Sequence, residues 1–235
     1  MYYMKNLLLF SNSQDYERGY LGHGIEEIKD FLGGINKITF VPYAFFDRDE
    51  YTKTVRAFFR MMGIEVLSLH ETSDPKMALS ETKALFVGGG NTFRLLRDLH
   101  ELDLIKPIRE KILNDMLYIG ASAGTIIMCP TIRTTNDMPI VEIPTLDTLS
   151  IVPFQINAHY IDADASSRHM GETREKRIEQ YHEENDLPVL GLREGTWLRV
   201  EDNKIHLGGK KPAKLFLKGK DAEELQPGEI LIPQK

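Results

Sequence analysis

The sequence is poor in sulfur chemistry, with one cysteine, Cys129, among 235 residues. An intramolecular disulfide is therefore excluded, which fits a reducing compartment, and the cytoplasm is the expected location. Long apolar runs are missing too. Near the N-terminus the main one is Leu7 to Phe10. That is too short for a signal-peptide core, and no stretch approaches the roughly 20 apolar residues of a membrane span. There is no excess of positive charge either. The formal net charge of −6 is the opposite of what a nucleic-acid binder needs to neutralise phosphates. The basic residues between Lys204 and Lys220 are interrupted by Gly, Pro and apolar residues and read as a solvated hairpin face. Linkers, repeats and low-complexity tracts are absent. Residues 1–235 are expected to form one domain, as a monomer or homodimer with no membrane or nucleic-acid partner.

What is present is an alternation of short apolar runs with amphipathic stretches. Lys5 to Phe10, Lys37 to Val41, Glu65 to Leu69, Ala84 to Val87 and Leu117 to Gly120 read as buried strands. Ile25, Ile28, Phe31 and Leu32 recur at helical spacing, as do Tyr51, Val55, Phe58, Phe59 and Met62, and then Ile105, Ile108, Ile112 and Leu113. This order predicts an α/β fold with a mainly parallel sheet and helices on both faces. In such sheets ligands bind beyond the carboxyl ends of the strands, so the loops after Phe10, Val41, Val87 and Gly120 should gather at one edge. The C-terminal third changes character. A charged helix is expected from about Glu172 to Glu184. Short strands follow near Val189, Thr196 and Lys204, with a hairpin turn at Asp202-Asn203.

Gly120-Ala121-Ser122-Ala123-Gly124 matches G-x-S-x-G between an apolar strand and a helical run. That is the setting of a nucleophile elbow, in which a sharp turn lifts the serine hydroxyl above the sheet edge. A tight turn of small residues without catalysis is the competing reading. An acyl-transfer site needs two donors for the developing oxyanion. The N–H of Ala123 supplies one, and the Gly88-Gly89-Gly90 loop is placed for the other. A glycine-rich turn before a helix also suits phosphate, as in a nucleotide-binding module. However, neither G-x-G-x-x-G nor G-x-x-x-x-G-K-[ST] occurs in this stretch.

Ser122 requires a base and the base an orienting carboxylate. Of seven histidines, His23, His70, His100, His182 and His206 fall in segments read as helix, strand end or hairpin. His159 follows the mostly apolar run Ile151 to Ile156 and sits just past a strand end; His169 lies in a polar loop and could line the pocket. For the acid there are two candidates. Glu194 follows the strand Val189 to Leu192, with Gly195 allowing a tight turn. Asp137 lies in the polar loop after Pro130 and gives the chain order Ser, Asp, His. The strand-end position slightly favours Glu194. Cys129, before Pro130 and without an elbow, reads as a buried thiol. His169 with Glu172, and His182 with Glu183, are not recognised ligand spacings, so no metal is assigned and no cofactor is expected.

Gly88 to Phe93, the Gly120–Gly124 elbow, the run from Cys129 to Ile140, Gly171 to Glu175 and Glu194-Gly195 together resemble the peptidase E family of α-aspartyl dipeptidases. The resemblance covers nearly the whole chain. It implies a fold similar to class I glutamine amidotransferases, in the flavodoxin-like group, with serine in place of their usual cysteine. It also implies hydrolysis of small peptides that begin with aspartate, Ser122 as nucleophile, His159 as base, and Gly90 and Ala123 as oxyanion donors. Both Asp137 and Glu194 stand at positions proposed for the acid. Arg174, in the first turn of the Glu172–Glu184 helix, is unfavourably placed against the helix dipole, which suggests that it reaches toward an anion. With the resemblance, Arg174 becomes the partner of the substrate carboxylate, Arg133 a second candidate, and Asn91 a contact for the free α-amino end. Ala121 replaces an expected Trp and the Tyr160–Met170 segment is slightly longer; both bear on pocket width.

Overall fold

The computed structural model describes residues 6–164, 166 and 171–233. Lys5 of the first expected strand, and His169 and Met170, lie outside the described residues. The first half runs β1 (Leu7–Phe10), β2 (Gln14–Asp15), β3 (Gly19–Tyr20), α1 (Ile25–Leu32), β4 (Lys37–Val41), α2 (Arg48–Arg60), β5 (Glu65–Ser68), α3 (Pro75–Ser80), β6 (Ala84–Val87), α4 (Thr92–Glu101) and α5 (Ile105–Leu113). The second half runs β7 (Leu117–Ala121), α6 (Ala123–Ile126), β8 (Gln155–Tyr160), α7 (Arg174–Glu184), β9 (Val189–Arg193), β10 (Thr196–Glu201), β11 (Lys204–Gly209), β12 (Ala213–Phe216), β13 (Glu223–Leu225) and β14 (Gly228–Ile230).

The main sheet has the order β14-β11-β10-β1-β7-β6-β4-β5. Strands β1, β7, β6, β4 and β5 are parallel to one another, and β10, β11 and β14 extend the sheet antiparallel. Strands β1 and β6 are apolar and buried throughout because both faces are covered. Leu7 and Leu9 enter one core with Leu95, Leu99, Ile108 and Ile112 of α4 and α5. Leu8 and Phe10 enter the other with Ile28, Phe31, Val55 and Phe59 of α1 and α2. The period of two along β1 thus divides its side chains between two helical layers.

A second sheet, β13-β12-β9-β8, is the feature the strand pattern did not reveal. β8 pairs parallel with β9 instead of widening the main sheet. Ile156, Leu190 and Leu215 pack one of its faces into the main core, while Tyr160, Val189 and Phe216 pack with Ile178 and Tyr181 of α7. Helix α7 starts at Arg174, two residues later than expected, because the Thr173 side chain accepts from Lys176 N–H and caps it. Asp202 and Asn203 both have positive φ (46° and 68°), as the turn of a tight β10–β11 hairpin requires.

Candidate active site

The carboxyl ends of β1, β6 and β7 meet where chemistry was expected. Ser122 lies between β7 and α6 with φ 52° and ψ −108°, a conformation that costs about 1–3 kcal/mol and persists only where its surroundings impose it. The clamp is visible. Ser122 N–H donates to Phe10 O at 3.0 Å, and Ser122 O accepts from Thr125 and Ile126 N–H. Thr125 Oγ1 donates to Phe10 O at 2.7 Å and Gly120 O at 3.0 Å. The flanking glycines are obligatory by contact. A Cβ on Gly124 would collide with the Val87 carbonyl, and one on Gly120 would come within 2.6 Å of Gly124 O. Ala121 is fully buried, in the same core as Phe10 and Ile119.

His159 occupies a bulge in β8, where the register with β9 shifts between Ala158 and Tyr160 and φ is 54°. The extra residue turns this side chain out of the pairing pattern. Its Nε2 lies 3.0 Å from Ser122 Oγ and its Nδ1 2.7 Å from Glu194 Oε1. Glu194 stands in the β9–β10 turn, where Gly195 takes φ 81°. Two residues just past β1 hold this pair in place. Ser11 Oγ accepts from His159 N–H at 2.9 Å and donates to Leu192 O at 2.6 Å. Asn12 Oδ1 accepts from Gly195 N–H at 2.8 Å. The buried Ser11-Asn12 pair escaped the sequence reading as functional. Its signal was a polar triplet, Ser11-Asn12-Ser13, directly after a wholly apolar strand. Ser11→Ala removes the acceptor of the bulge amide, so the imidazole drifts while the cores remain. The expected outcome is a fall in kcat on the order of 10- to 100-fold with KM little changed, measured by steady-state peptide hydrolysis. Unchanged kcat would remove Ser11 from the positioning of His159.

The glycine loop lies beside the serine. A Cβ on Gly89 would sit 3.1 Å from Ser122 Cβ, and one on Gly90, at φ 131°, would come within 2.5 Å of Ala44 O. Gly88 N–H donates to Val41 O, and Asn91 N–H to Ala44 O at 2.9 Å. The N–H groups of Gly90 and Ala123 have no acceptor among the described residues, as donors reserved for a substrate oxygen require. Tyr51, packed under Gly88, is bonded to Tyr20 through its hydroxyl at 3.1 Å. Burial pushes that hydroxyl up to about 12, opposed by Tyr20 and by the Gly89 N–H.

The remaining candidates separate. Asp137 is not on the imidazole. Its Oδ2 accepts from Thr92 N–H at 2.7 Å and Thr92 Oγ1 at 2.5 Å, at the start of α4. The carboxylate that engages His159 Nδ1 is that of Glu194. Asn91 is spent on structure. Its Oδ1 accepts from Arg94 N–H at 3.0 Å and its Nδ2 donates to Met138 O at 2.9 Å. Arg133 is exposed and acts electrostatically on Tyr181 of α7. Arg174 is half-buried and makes no ion pair with any described carboxylate; burial and Arg177 push its pKa down, and Asp137 opposes them. The Cys129 thiol is buried, pushed up to about 12, and accepts from Ile156 N–H, so it is no nucleophile at neutral pH. Asp49, His70 and Glu71 form the one metal-like grouping among the described residues. Its groups are already engaged, His70 with Asp49 and Glu71 with Arg56.

Comparison with known proteins points to one family. The model of peptidase family S51 matches residues 7–208. Peptidase E of Streptomyces coelicolor is 50% identical over 226 residues, covering 96% of this chain and 93% of that protein. A probable alpha-aspartyl dipeptidase of Drosophila melanogaster is 48% identical over 226 residues, covering 95% and 94%. Among solved structures, a peptidase from an acI-B1 actinobacterium superposes with a TM-score of 0.67 at 17% identity over 98% of both chains. A putative peptidase E protein from Listeria monocytogenes EGD-e superposes with a TM-score of 0.60 at 23% identity, covering 95% of this chain and 98% of that one. At such identities these two speak for the fold alone. With the family model spanning most of the sequence and relatives near half identical over almost its whole length, this chain belongs to peptidase family S51.

Proposed function

We propose that this chain is a cytoplasmic serine-type dipeptidase, one domain over residues 1–235, that hydrolyses the peptide bond after an N-terminal aspartate. The observation that carries the reading is the hydrogen-bonded series from Ser122 through His159 to Glu194, at 3.0 and 2.7 Å, built on an elbow with positive φ. His159 takes the Ser122 proton as Oγ attacks the aspartyl carbonyl carbon. Glu194 fixes the imidazole tautomer and stabilises the imidazolium. The oxyanion is received by the N–H groups of Gly90 and Ala123. The carbon–nitrogen bond then breaks, and the leaving amine takes the proton from His159. Water, deprotonated by the same histidine, attacks the acyl-enzyme and releases aspartate. This chemistry draws on no metal or cofactor.

The aspartyl preference is supported by Arg174. A half-buried cation in the first turn of a helix opposes the dipole by about 0.3–1 kcal/mol when exposed, and this one has no carboxylate partner among the described residues. The substrate β-carboxylate supplies that partner in a bidentate pair. Arg174→Met is expected to lower kcat/KM for Asp-Leu by about 100-fold or more, while the slow background on Ala-Leu stays within about threefold.

The test is release of free amino acid from Asp-Leu beside Glu-Leu, Ala-Leu and β-linked Asp-Leu, with and without a chelator. Chelator-resistant cleavage of α-Asp-Leu, far faster than of the other three, is the expected result. Equal turnover of Ala-Leu, or loss of activity with chelator, contradicts the reading.

A further inference from the structure

We propose that the cavity beside Glu194, lined by Arg18, Trp197, Lys210 and Lys211, holds the leaving residue of the peptide and pairs with its free C-terminal carboxylate. The inference rests on the dipeptidase reading above and names what would favour two-residue substrates in that reaction. The cavity has a volume of about 590 Å³, within the range of small-ligand sites. The β2–β3 ribbon gives one wall and the β9–β10 turn another, and the segment after β11 brings the two lysines.

A short segment joins this cavity to the nucleophile. A Cβ on Gly89 would lie 3.1 Å from Ser122 Cβ and 3.5 Å from Ser13 Oγ, so the Ser13 hydroxyl stands next to the reacting serine. Asn12 and Gln14, on either side of Ser13, both line the cavity. So does Glu194, whose carboxylate is on the imidazole of His159. The leaving amine takes its proton from that imidazole, so the residue attached to the scissile nitrogen lies on the His159 side of Ser122. That side leads to this space.

The charges in the cavity are unevenly spent. Asp15 Oδ1 accepts from Glu17 N–H at 3.0 Å and from Arg18 N–H at 2.8 Å, and Glu194 Oε1 is 2.7 Å from His159 Nδ1. Glu17 is the remaining acid, and it is exposed. Arg18, Lys210 and Lys211 are exposed as well and form no ion pair among the described residues. The surplus is therefore positive, as an incoming carboxylate requires. His23 and Trp197, with ring centroids 6.3 Å apart, give an aromatic wall for a side chain such as leucine. Their ring nitrogens have no hydrogen-bond partner among the described residues, so this wall is not closed by the protein's own polar groups. In a longer peptide the carboxylate lies at least one residue farther out, and the cations then face a neutral amide.

The test compares Asp-Leu with its C-terminal amide. Wild-type kcat/KM should be about 5- to 10-fold higher for Asp-Leu, the sum of several exposed cations each contributing modestly, and the ratio should shrink as salt is raised. The double variant Lys210→Met/Lys211→Met should lose most of that preference. Trp197 is the chain's one tryptophan, so its fluorescence reads occupancy of this cavity. In Ser122→Ala, saturation with Asp-Leu, established by calorimetry, should shift Trp197 emission, whereas saturation with L-aspartate, which lacks a leaving residue, should not. Equal kcat/KM for Asp-Leu and its amide in the wild-type protein overturns the inference and leaves the dipeptidase reading standing, and so does Trp197 emission that ignores saturating Asp-Leu. A wild-type protein that cuts neither peptide overturns the dipeptidase reading and this inference with it.

Discussion

Ser122→Ala is expected to lower kcat for Asp-Leu by on the order of 10⁶-fold, because the nucleophile and its base act as a unit and loss of either forfeits the acyl-enzyme route. The fold should not register the change. Among the described residues the hydroxyl's one partner is His159 Nε2, and the clamp on the elbow runs through backbone atoms of residue 122 and through Thr125. Thermal unfolding should therefore stay within a few degrees of wild type, roughly the shift that 1 kcal/mol gives in a chain of this size. Residual hydrolysis near the wild-type rate would require a different nucleophile. Cys129 is excluded from that role by burial and by a thiol that stays protonated at neutral pH.

Glu194→Gln is expected to be the next most damaging change, at about 10⁴-fold in kcat. A carboxylate at 2.7 Å from Nδ1 accepts the ring proton and leaves Nε2 free to take one from Ser122. A glutamine can present its NH₂ group instead, which selects the opposite tautomer, and in neither orientation does it stabilise the imidazolium. The pair is solvent-accessible, with side-chain exposures of 39% for His159 and 51% for Glu194, so it contributes little to stability as an ion pair. The role proposed for Glu194 is orientation. The comparison with Asp137→Asn is diagnostic. The acid that orients His159 governs kcat, whereas an acid held on Thr92 at the start of α4 leaves the relay intact. Steady-state kinetics of both variants on Asp-Leu separates the two roles, and the reverse pattern would return Asp137 to the relay.

The serine was legible in the sequence because its constraints are local. A wholly apolar strand, a G-x-S-x-G turn and a helical run lie within a dozen residues, and the close approach of Gly124 to Val87 explains why nothing larger fits. The two-faced sheet was legible for the same reason, since apolar runs without alternation signal cover on both sides. The rest depended on distant pairings. His159 was found at a strand end, but the bulge that aims it exists only through the register of β8 against β9. That strand pairing also produced the second sheet. Ser11 meets a partner 148 residues away, a contact that no spacing rule encodes. Asp137 and Glu194 could not be separated from sequence because both lie in loops at the same end of the sheet. Only the hydrogen bonds of each carboxylate, Thr92 for one and His159 for the other, tell the two apart.

The most direct test of the central claim is to trap the intermediate. Wild-type protein turning over Asp-Leu is quenched in acid, and the intact mass and the peptide containing Ser122 are measured. The account predicts a species heavier by one aspartyl residue, attached at Ser122 and absent from Ser122→Ala. Turnover of Asp-Leu at an undiminished rate by Ser122→Ala, with no adduct on the wild-type protein, would contradict it.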